Sequence, residues 1–347
     1  MNWMPPAYHR PHIDPRLTRL LDALPPAQPV PPFESRGELL ALARSPQRAE
    51  QLRQEHEFYD SMDTEAVAPS AGLRIERHEL TSEPDGNRIY LQLIRPDDDR
   101  LLPCVYYLHG GGMMGGSAFD GNYRAFGKLL AANDVAVAMA DFRNSLIPSS
   151  AGDVAPYPAG LNDCVSGFRW VLAEAPTLRI DPLTVIIAGE SGGANLSLAL
   201  VMRLIIAGEV DLVRGVYALC PYIAGKWPQD RYPSSLDCNG ILLDLHNDLG
   251  AVSYGIEALE RQDPLAWPGF ATEDDVKGFP PTVIGVNEFD PLRDEGIEFY
   301  RLLLRSGVAA RCRQTMGTVH GTELLVSICP DISRDAAASI AQFCRTF

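Results

Sequence analysis

The 347-residue chain reads as an α/β protein: a mostly parallel sheet with helices packed on both faces. Two observations predict this class. From Cys104 onward, short apolar runs of strand length alternate with longer helical patterns, the order that builds a parallel sheet covered on both sides. One of those runs, opening at Val185-Ile186-Ile187-Ala188, passes through a Gly-x-Ser-x-Gly corner directly into an Ala/Leu-rich helix. The composition agrees, with 46% hydrophobic and 22% charged residues, as in a soluble globular protein.

The elements follow in order. Residues 1–72 differ from the rest. Prolines crowd Pro25-Pro26 and Pro29 to Pro32, and helical patterns run near Asp14 to Leu24 and from Ser35 to Tyr59, interrupted at Pro46. This stretch is too rich in proline for a sheet and reads as a segment packing onto something else. Leu73 to Glu79 and Asn87 to Arg95 form two strands around the turn Pro84-Asp85-Gly86. Cys104 to Leu108 is a buried strand leading into His109-Gly110-Gly111-Gly112-Met113-Met114. A helix spans Tyr123 to Ala132, a strand Val135 to Ala140 and a helix Gly160 to Glu174, before the strand that begins at Val185. Val213 to Cys220 and Thr282 to Val286 are further strands. The helix Arg293 to Arg305, the strand Arg311 to Met316 and the helix Asp331 to Cys344 complete the domain 73–347. Residues 222–277 interrupt the alternation with aromatics and turn residues, and read as an inserted lid over the site.

The formal net charge of −15 and pI near 4.9 exclude nucleic acid as an expected partner, since phosphate binding needs a basic surface. No apolar run approaches the length of a membrane span, and the N-terminus lacks the basic and apolar regions of a signal peptide. Seven scattered cysteines without a Cys-x-x-Cys pair predict buried free thiols, no metal site and a reducing, cytoplasmic setting.

The Gly-x-Ser-x-Gly corner carries the chemistry. It lifts Ser191 out of the sheet at a strained turn, above a helix N-terminus that favours a developing anion. A serine needs a base. Of seven histidines, His9, His12 and His56 lie in the N-terminal segment, His78 in the first strand region, His246 in the insertion, and His109 opens the glycine loop. His320 remains, just past the last strand and at the same sheet edge as Ser191. Asp290, at the end of the strand from Thr282, suits the orienting carboxylate. Asp294 and Glu295, in the first turn of the next helix, and Glu288 are its rivals. The loop Gly110-Gly111-Gly112 offers backbone N–H groups to an oxyanion. It lacks the Lys-Ser/Thr of a phosphate-binding loop. Met113, Met114 and Phe119 after this loop, with Tyr222 and Trp227 at the start of the insertion, are expected to line a short acyl pocket.

With these residues in view, the chain from about residue 73 resembles the hormone-sensitive-lipase-like branch of the α/β-hydrolases, mostly bacterial carboxylesterases. The resemblance rests on His109-Gly110-Gly111-Gly112, Gly189-Glu190-Ser191-Gly192-Gly193, Asp290-Pro291-Leu292-Arg293-Asp294-Glu295-Gly296 and His320-Gly321. Asp141-Phe142-Arg143, Tyr157-Pro158-Ala159 and Asp163 echo it. It implies an α/β-hydrolase fold with a mostly parallel eight-stranded sheet, an antiparallel first hairpin, and a helical cap built from residues 1–72 and 222–277. It implies Ser191 as nucleophile, Asp290 as acid and His320 as base, an oxyanion hole of the Gly111, Gly112 and Gly192 N–H groups, and His109 as a support for the glycine loop. Gly192 stands where many members have alanine, and Glu190 where many have aspartate or threonine. The expected activity is hydrolysis of short- to medium-chain acyl esters through an acyl-enzyme. Rival readings are an amidase or lactonase on the same triad, or a catalytically silent small-ligand receptor. The expected partner is a small ester, with at most a second copy of the chain as a homodimer; no cofactor and no metal are expected.

Overall fold

The computed structural model describes residues 12–24, 33 and 35–347. Residues 1–11, the proline run 25–32 and residue 34 lie outside the described residues, and His9 with them. Helix α1 (Pro15–Ala23) starts at Asp14, whose carboxylate accepts from the Arg16 N–H at 2.8 Å. Arg16 also pairs with Asp331, which ties the N-terminal segment to the end of the chain. Leu17 is buried with Ile13, Met62, Phe289 and Val319. Helices α2 (Arg36–Ala43) and α3 (Pro46–Asp60) follow. Pro46 does not interrupt a helix but begins one. It sits in the first turn, where its missing N–H costs nothing, and Ser45 caps the Arg48 N–H at 3.2 Å.

The sheet strands are β1 (Leu73–Thr81), β2 (Arg88–Pro96), β3 (Leu102–Leu108), β4 (Ala136–Asp141), β5 (Ile180–Glu190), β6 (Gly215–Leu219), β7 (Thr282–Phe289) and β8 (Ala310–Val319). Their order is β1-β2-β4-β3-β5-β6-β7-β8. β1 pairs antiparallel with β2, and β2 antiparallel with β4; every other pair is parallel. The period-two alternation of β3 shows why this sheet needs two covering layers. Cys104, Tyr106 and Leu108 face one core, and Val105 and Tyr107 face the other, all fully buried. Helix α4 (Gly121–Ala131) lies on the Val105 side. Helices α5 (Ala159–Ala173) and α7 (Gly192–Ala207) lie on the Tyr106 side, with the short α6 (Ala175–Leu178) between them in the chain.

The stretch after β6 carries the short helices α8 (Ser234–Asp237), α9 (Leu249–Tyr254) and α10 (Ile256–Glu260) and a 3-10 turn at Pro268–Phe270, joined by loops. Helix α11 (Arg293–Arg305) returns to the Tyr106 side, and α12 (Pro330–Cys344) packs beside α4. Because β3, β5, β7 and β8 run in parallel, their C-terminal ends share one edge. The residues immediately beyond those ends are His109, Ser191, Asp290 and His320. No described helix is long and apolar enough to cross a membrane.

Candidate active site

The corner at Ser191 is built by steric necessity. Ser191 has φ 56° and ψ −116°, a conformation a side chain adopts only under constraint, at a cost of about 1–3 kcal/mol. The constraint is visible on both sides. The Ser191 N–H donates to Leu219 O at 2.9 Å, and the Asn195 N–H closes the first helical turn onto Ser191 O at 3.0 Å. At Gly193, a Cβ would stand 2.0 Å from Leu108 O, so only glycine lets α7 start this close to β3.

His320 reaches this serine across the sheet edge. β8 runs on through Gly317 to Val319, three residues further than the apolar pattern suggests, and delivers His320 at its tip. His320 Nε2 is 2.9 Å from Ser191 Oγ, and His320 Nδ1 is 2.8 Å from Asp290 Oδ2. Asp290 is fully buried, and its other oxygen accepts the Leu292 N–H at 2.8 Å. Burial alone would lower the affinity of His320 for a proton. The Asp290 carboxylate and the neighbouring Cys220 sulfur together outweigh it, and the imidazole is held well above the ordinary value of 6.5.

The rival acids are occupied elsewhere. Glu288 accepts the Gly317 N–H at 2.7 Å. Asp294 accepts the Ser234 N–H at 2.7 Å and pairs with Arg293. Glu295 is buried and accepts from the Ile223 N–H at 2.7 Å, the Ala224 N–H at 3.0 Å and Trp227 Nε1 at 2.6 Å. Desolvation raises its carboxyl to about 8. Its task is to fasten the start of the insertion. Three of the other histidines are similarly placed: His246 Nε2 lies 2.9 Å from Ser235 O, His56 beside Asp120, and His78 beside Glu76. His109 stacks on Phe142 with centroids 4.2 Å apart, and its Nδ1 lies 2.9 Å from Gly110 O. Asp141 Oδ1 sits 3.6 Å from its Nε2 and accepts the Ala118 N–H, so one carboxylate serves the histidine and the far end of the loop. Next along the chain, Arg143 is clamped by Asp163, which also accepts from Ser82.

Gly192 has a reason of its own. A Cβ there would fall 2.6 Å from the Met113 nitrogen and 2.8 Å from the Gly112 nitrogen. The glycine loop therefore lies against the elbow so closely that alanine would push it away.

Glu190 was legible only as a departure from a motif; its role was not. It is buried, and its Oε2 accepts the Tyr123 hydroxyl at 2.9 Å, while that hydroxyl accepts the Gly110 N–H at 2.8 Å. Its Oε1 lies 3.7 Å from His320 Nε2. One carboxyl thus links the glycine loop to the imidazole. Desolvation raises its affinity for a proton, and nearby His320 opposes that rise. The base must be neutral to act, so kcat/KM should fall on the acid side at a pH above histidine's ordinary range. In Glu190→Gln the negative charge near Nε2 is gone, the imidazolium is less favoured, and this acid limb should move down by about one pH unit. An unmoved limb in the pH–rate profile would show that Glu190 carries no charge there while the enzyme works.

The expected pocket residues divide. A cavity of about 310 Å³ borders the loop at Gly111 and includes Met114 in its wall, with Leu39, Leu42 and Leu52 from α2 and α3 opposite. Phe119 lines a neighbouring cavity of about 410 Å³. Met113 is buried in the core and lines neither cavity. Tyr222 and Trp227 stack on each other with centroids 4.6 Å apart and join Trp267 in an aromatic cluster. Tyr222 still borders Gly112, but Trp227 is held away from the cavities by Glu295. Their place beyond a strand end was readable; the buried carboxylate that turns the indole inward was not.

The arrangement has known counterparts. A family model described as the α/β hydrolase fold matches residues 105–324. Carboxylesterase NlhH of Mycobacterium tuberculosis is 29% identical over 323 residues, covering 91% of this chain and 90% of that protein. Among solved structures, that of esterase Est22 superposes with a TM-score of 0.94 at 59% identity, covering 97% of this chain and 98% of that one. Brefeldin A esterase, described as a bacterial homologue of human hormone-sensitive lipase, superposes with a TM-score of 0.85 at 32% identity, covering 96% of this chain and 93% of that one. A sheet of this order, a serine on a strained strand-to-helix corner and these likenesses place the chain in the α/β-hydrolase family, among the esterases of its hormone-sensitive-lipase-like branch.

Proposed function

We propose that the protein hydrolyses short- to medium-chain acyl esters through an acyl-enzyme, with Ser191, His320 and Asp290 as the working triad. The observation that carries this reading is the continuous chain of hydrogen bonds from Ser191 Oγ through the imidazole to Asp290. His320 takes the serine proton as Oγ attacks the ester carbonyl. The N–H groups of Gly111, Gly112 and Gly192 receive the oxyanion. The imidazolium, stabilised by Asp290, returns its proton to the departing alcohol, and water repeats the cycle on the acyl-enzyme. No step calls for a cofactor. Intact hydrogen bonding through all three residues favours this over a silent receptor.

The segment up to residue 72 and the insertion 222–277 serve in this reading as the cap. Helices α2 and α3 supply the far wall of the cavity at Gly111. Seven cysteines without a disulfide suit a reducing cytoplasm.

In this reading the acyl chain runs from Ser191 past Gly111 into this cavity, whose wall includes neither Ser191 nor His320, and the depth of the cavity limits substrate length. Each buried methylene adds about 0.8 kcal/mol while room remains, then nothing or a clash. Initial rates on p-nitrophenyl esters from acetate to palmitate should therefore peak at about two to eight acyl carbons. Met114→Ala, which deepens the wall beside Gly111, should move the peak to longer chains. A wild-type maximum on palmitate would refute the assignment of this cavity to the acyl chain.

A further inference from the structure

Three side chains of metal-binding type meet beside Ser191, and only His320 among them moves a proton in the hydrolytic cycle. Glu190 ends β5, Cys220 follows β6 and His320 follows β8. All three are buried, and one donor atom from each lies within 4.8 Å of the other two. The sequence shows no metal-binding spacing because three separate strands deliver them.

Two of the donors are already aimed. Asp290 engages His320 Nδ1 at 2.8 Å, which leaves Nε2 as the ligand atom. A carboxylate behind a metal-binding imidazole fixes its tautomer and raises its basicity. The Tyr123 hydroxyl donates to Glu190 Oε2 at 2.9 Å, and the other oxygen, Oε1, lies 3.7 Å from His320 Nε2. Around a tetrahedral zinc ion, nitrogen, oxygen and sulfur ligands stand about 3.3–3.8 Å apart. The nitrogen–oxygen separation already matches, and side-chain rotation of about 1 Å brings in the sulfur. Magnesium and calcium prefer oxygen donors, whereas a thiolate, an imidazole and one carboxylate select a softer ion.

We propose that Glu190, Cys220 and His320 form an inhibitory site for zinc and kindred thiol-seeking divalent ions such as cadmium. His320 Nε2 is the atom 2.9 Å from Ser191 Oγ, and its lone pair is the one that takes the serine proton. An ion on Nε2 occupies that lone pair, so Ser191 cannot be activated. Burial pushes the Cys220 thiol up to about 12, so the free enzyme carries a neutral thiol. Coordination expels the thiol proton to solvent, and the thiolate and the Glu190 carboxylate balance the two charges of the ion. The inhibition readout rests on the esterase reading; the occupancy of the site does not.

Two measurements test the site. In the first, p-nitrophenyl butyrate hydrolysis is titrated with zinc chloride, and each variant is normalised to its own metal-free rate. Zinc should inhibit the wild type, excess EDTA should restore the rate, and magnesium should have no effect. Cys220→Ser and Glu190→Gln should each raise the half-inhibiting zinc concentration by at least about tenfold, and Cys220→Ala carries the comparison if the serine variant does not fold. In the second, cobalt(II) is added without substrate. The wild type should show a sulfur-to-cobalt charge-transfer band in the near ultraviolet, and Cys220→Ser and His320→Ala should lose it. A wild type insensitive to zinc, sensitivity unchanged in either variant, or a cobalt band that is absent from the wild type or survives in Cys220→Ser overturns the proposal and leaves the esterase reading in place. A wild type that hydrolyses no ester overturns that reading instead, and the cobalt spectrum still decides the metal site.

Discussion

Ser191→Ala should reduce kcat by about 10⁴- to 10⁶-fold and leave the fold intact. The size of the effect follows from the geometry. Ser191 Oγ is the atom to which His320 Nε2 points at 2.9 Å, and no other described hydroxyl is hydrogen-bonded to that nitrogen. Removing Oγ abolishes the acyl-enzyme route. What remains is the oxyanion hole and binding, acting on water. The backbone at position 191 keeps its contacts to Leu219 and Asn195, both made through main-chain atoms, so the elbow should persist. A fluorophosphonate probe should label the wild type once, at Ser191, and the variant not at all. Labelling elsewhere, or retained turnover, would displace Ser191 from its role.

Asp290→Asn should cost about 10⁴-fold in kcat with little change in stability. The two carboxylate oxygens of Asp290 do different work: one accepts from Leu292 N–H and the other faces His320 Nδ1. An asparagine can satisfy the first with its carbonyl, which turns its NH₂ group toward the imidazole. Nδ1 then becomes the acceptor, the ring proton moves to Nε2, and the base has no lone pair for the serine. Asp294→Asn, by contrast, touches only the Ser234 N–H and Arg293, and should leave kcat within about twofold, as distant substitutions do. Steady-state kinetics on both variants checks the ranking. A larger loss in Asp294→Asn would move the orienting carboxylate to α11.

Much of this was readable from the residues, for reasons that differ by element. The central strands announced themselves because both their faces are buried, so their sequences are continuous apolar runs. The fold class followed from how those runs alternate with helices. His320 could be found because histidine is scarce, and the topology leaves few positions beyond a strand end. The pattern was weaker where backbone geometry outruns composition. β5 begins at Ile180, but Asp181-Pro182 looks like a turn, and the extension is held by pairing Ile180 with Leu102. β8 continues past a glycine to Val319 for the same reason: a shifted register with β7 carries it. Side-chain direction was least legible. Nothing in the order of residues shows that Glu295 captures the indole of Trp227, or that Tyr123 joins Glu190 to the glycine loop. Those are facts about elements far apart in the chain.

The fastening of the insertion by Glu295 also decides where the molecule can breathe. Three donors at the root of that segment, the Ile223 and Ala224 N–H groups and the Trp227 ring, close on one buried carboxyl, and Trp227 stacks on Tyr222 beside it. The opposite wall is held more lightly. Of the described side chains in α2 only Leu39 is buried, and in α3 none is. Local opening takes the course that exposes least apolar surface. Amide hydrogen exchange should therefore be faster in α2 and α3 than at the root of the insertion.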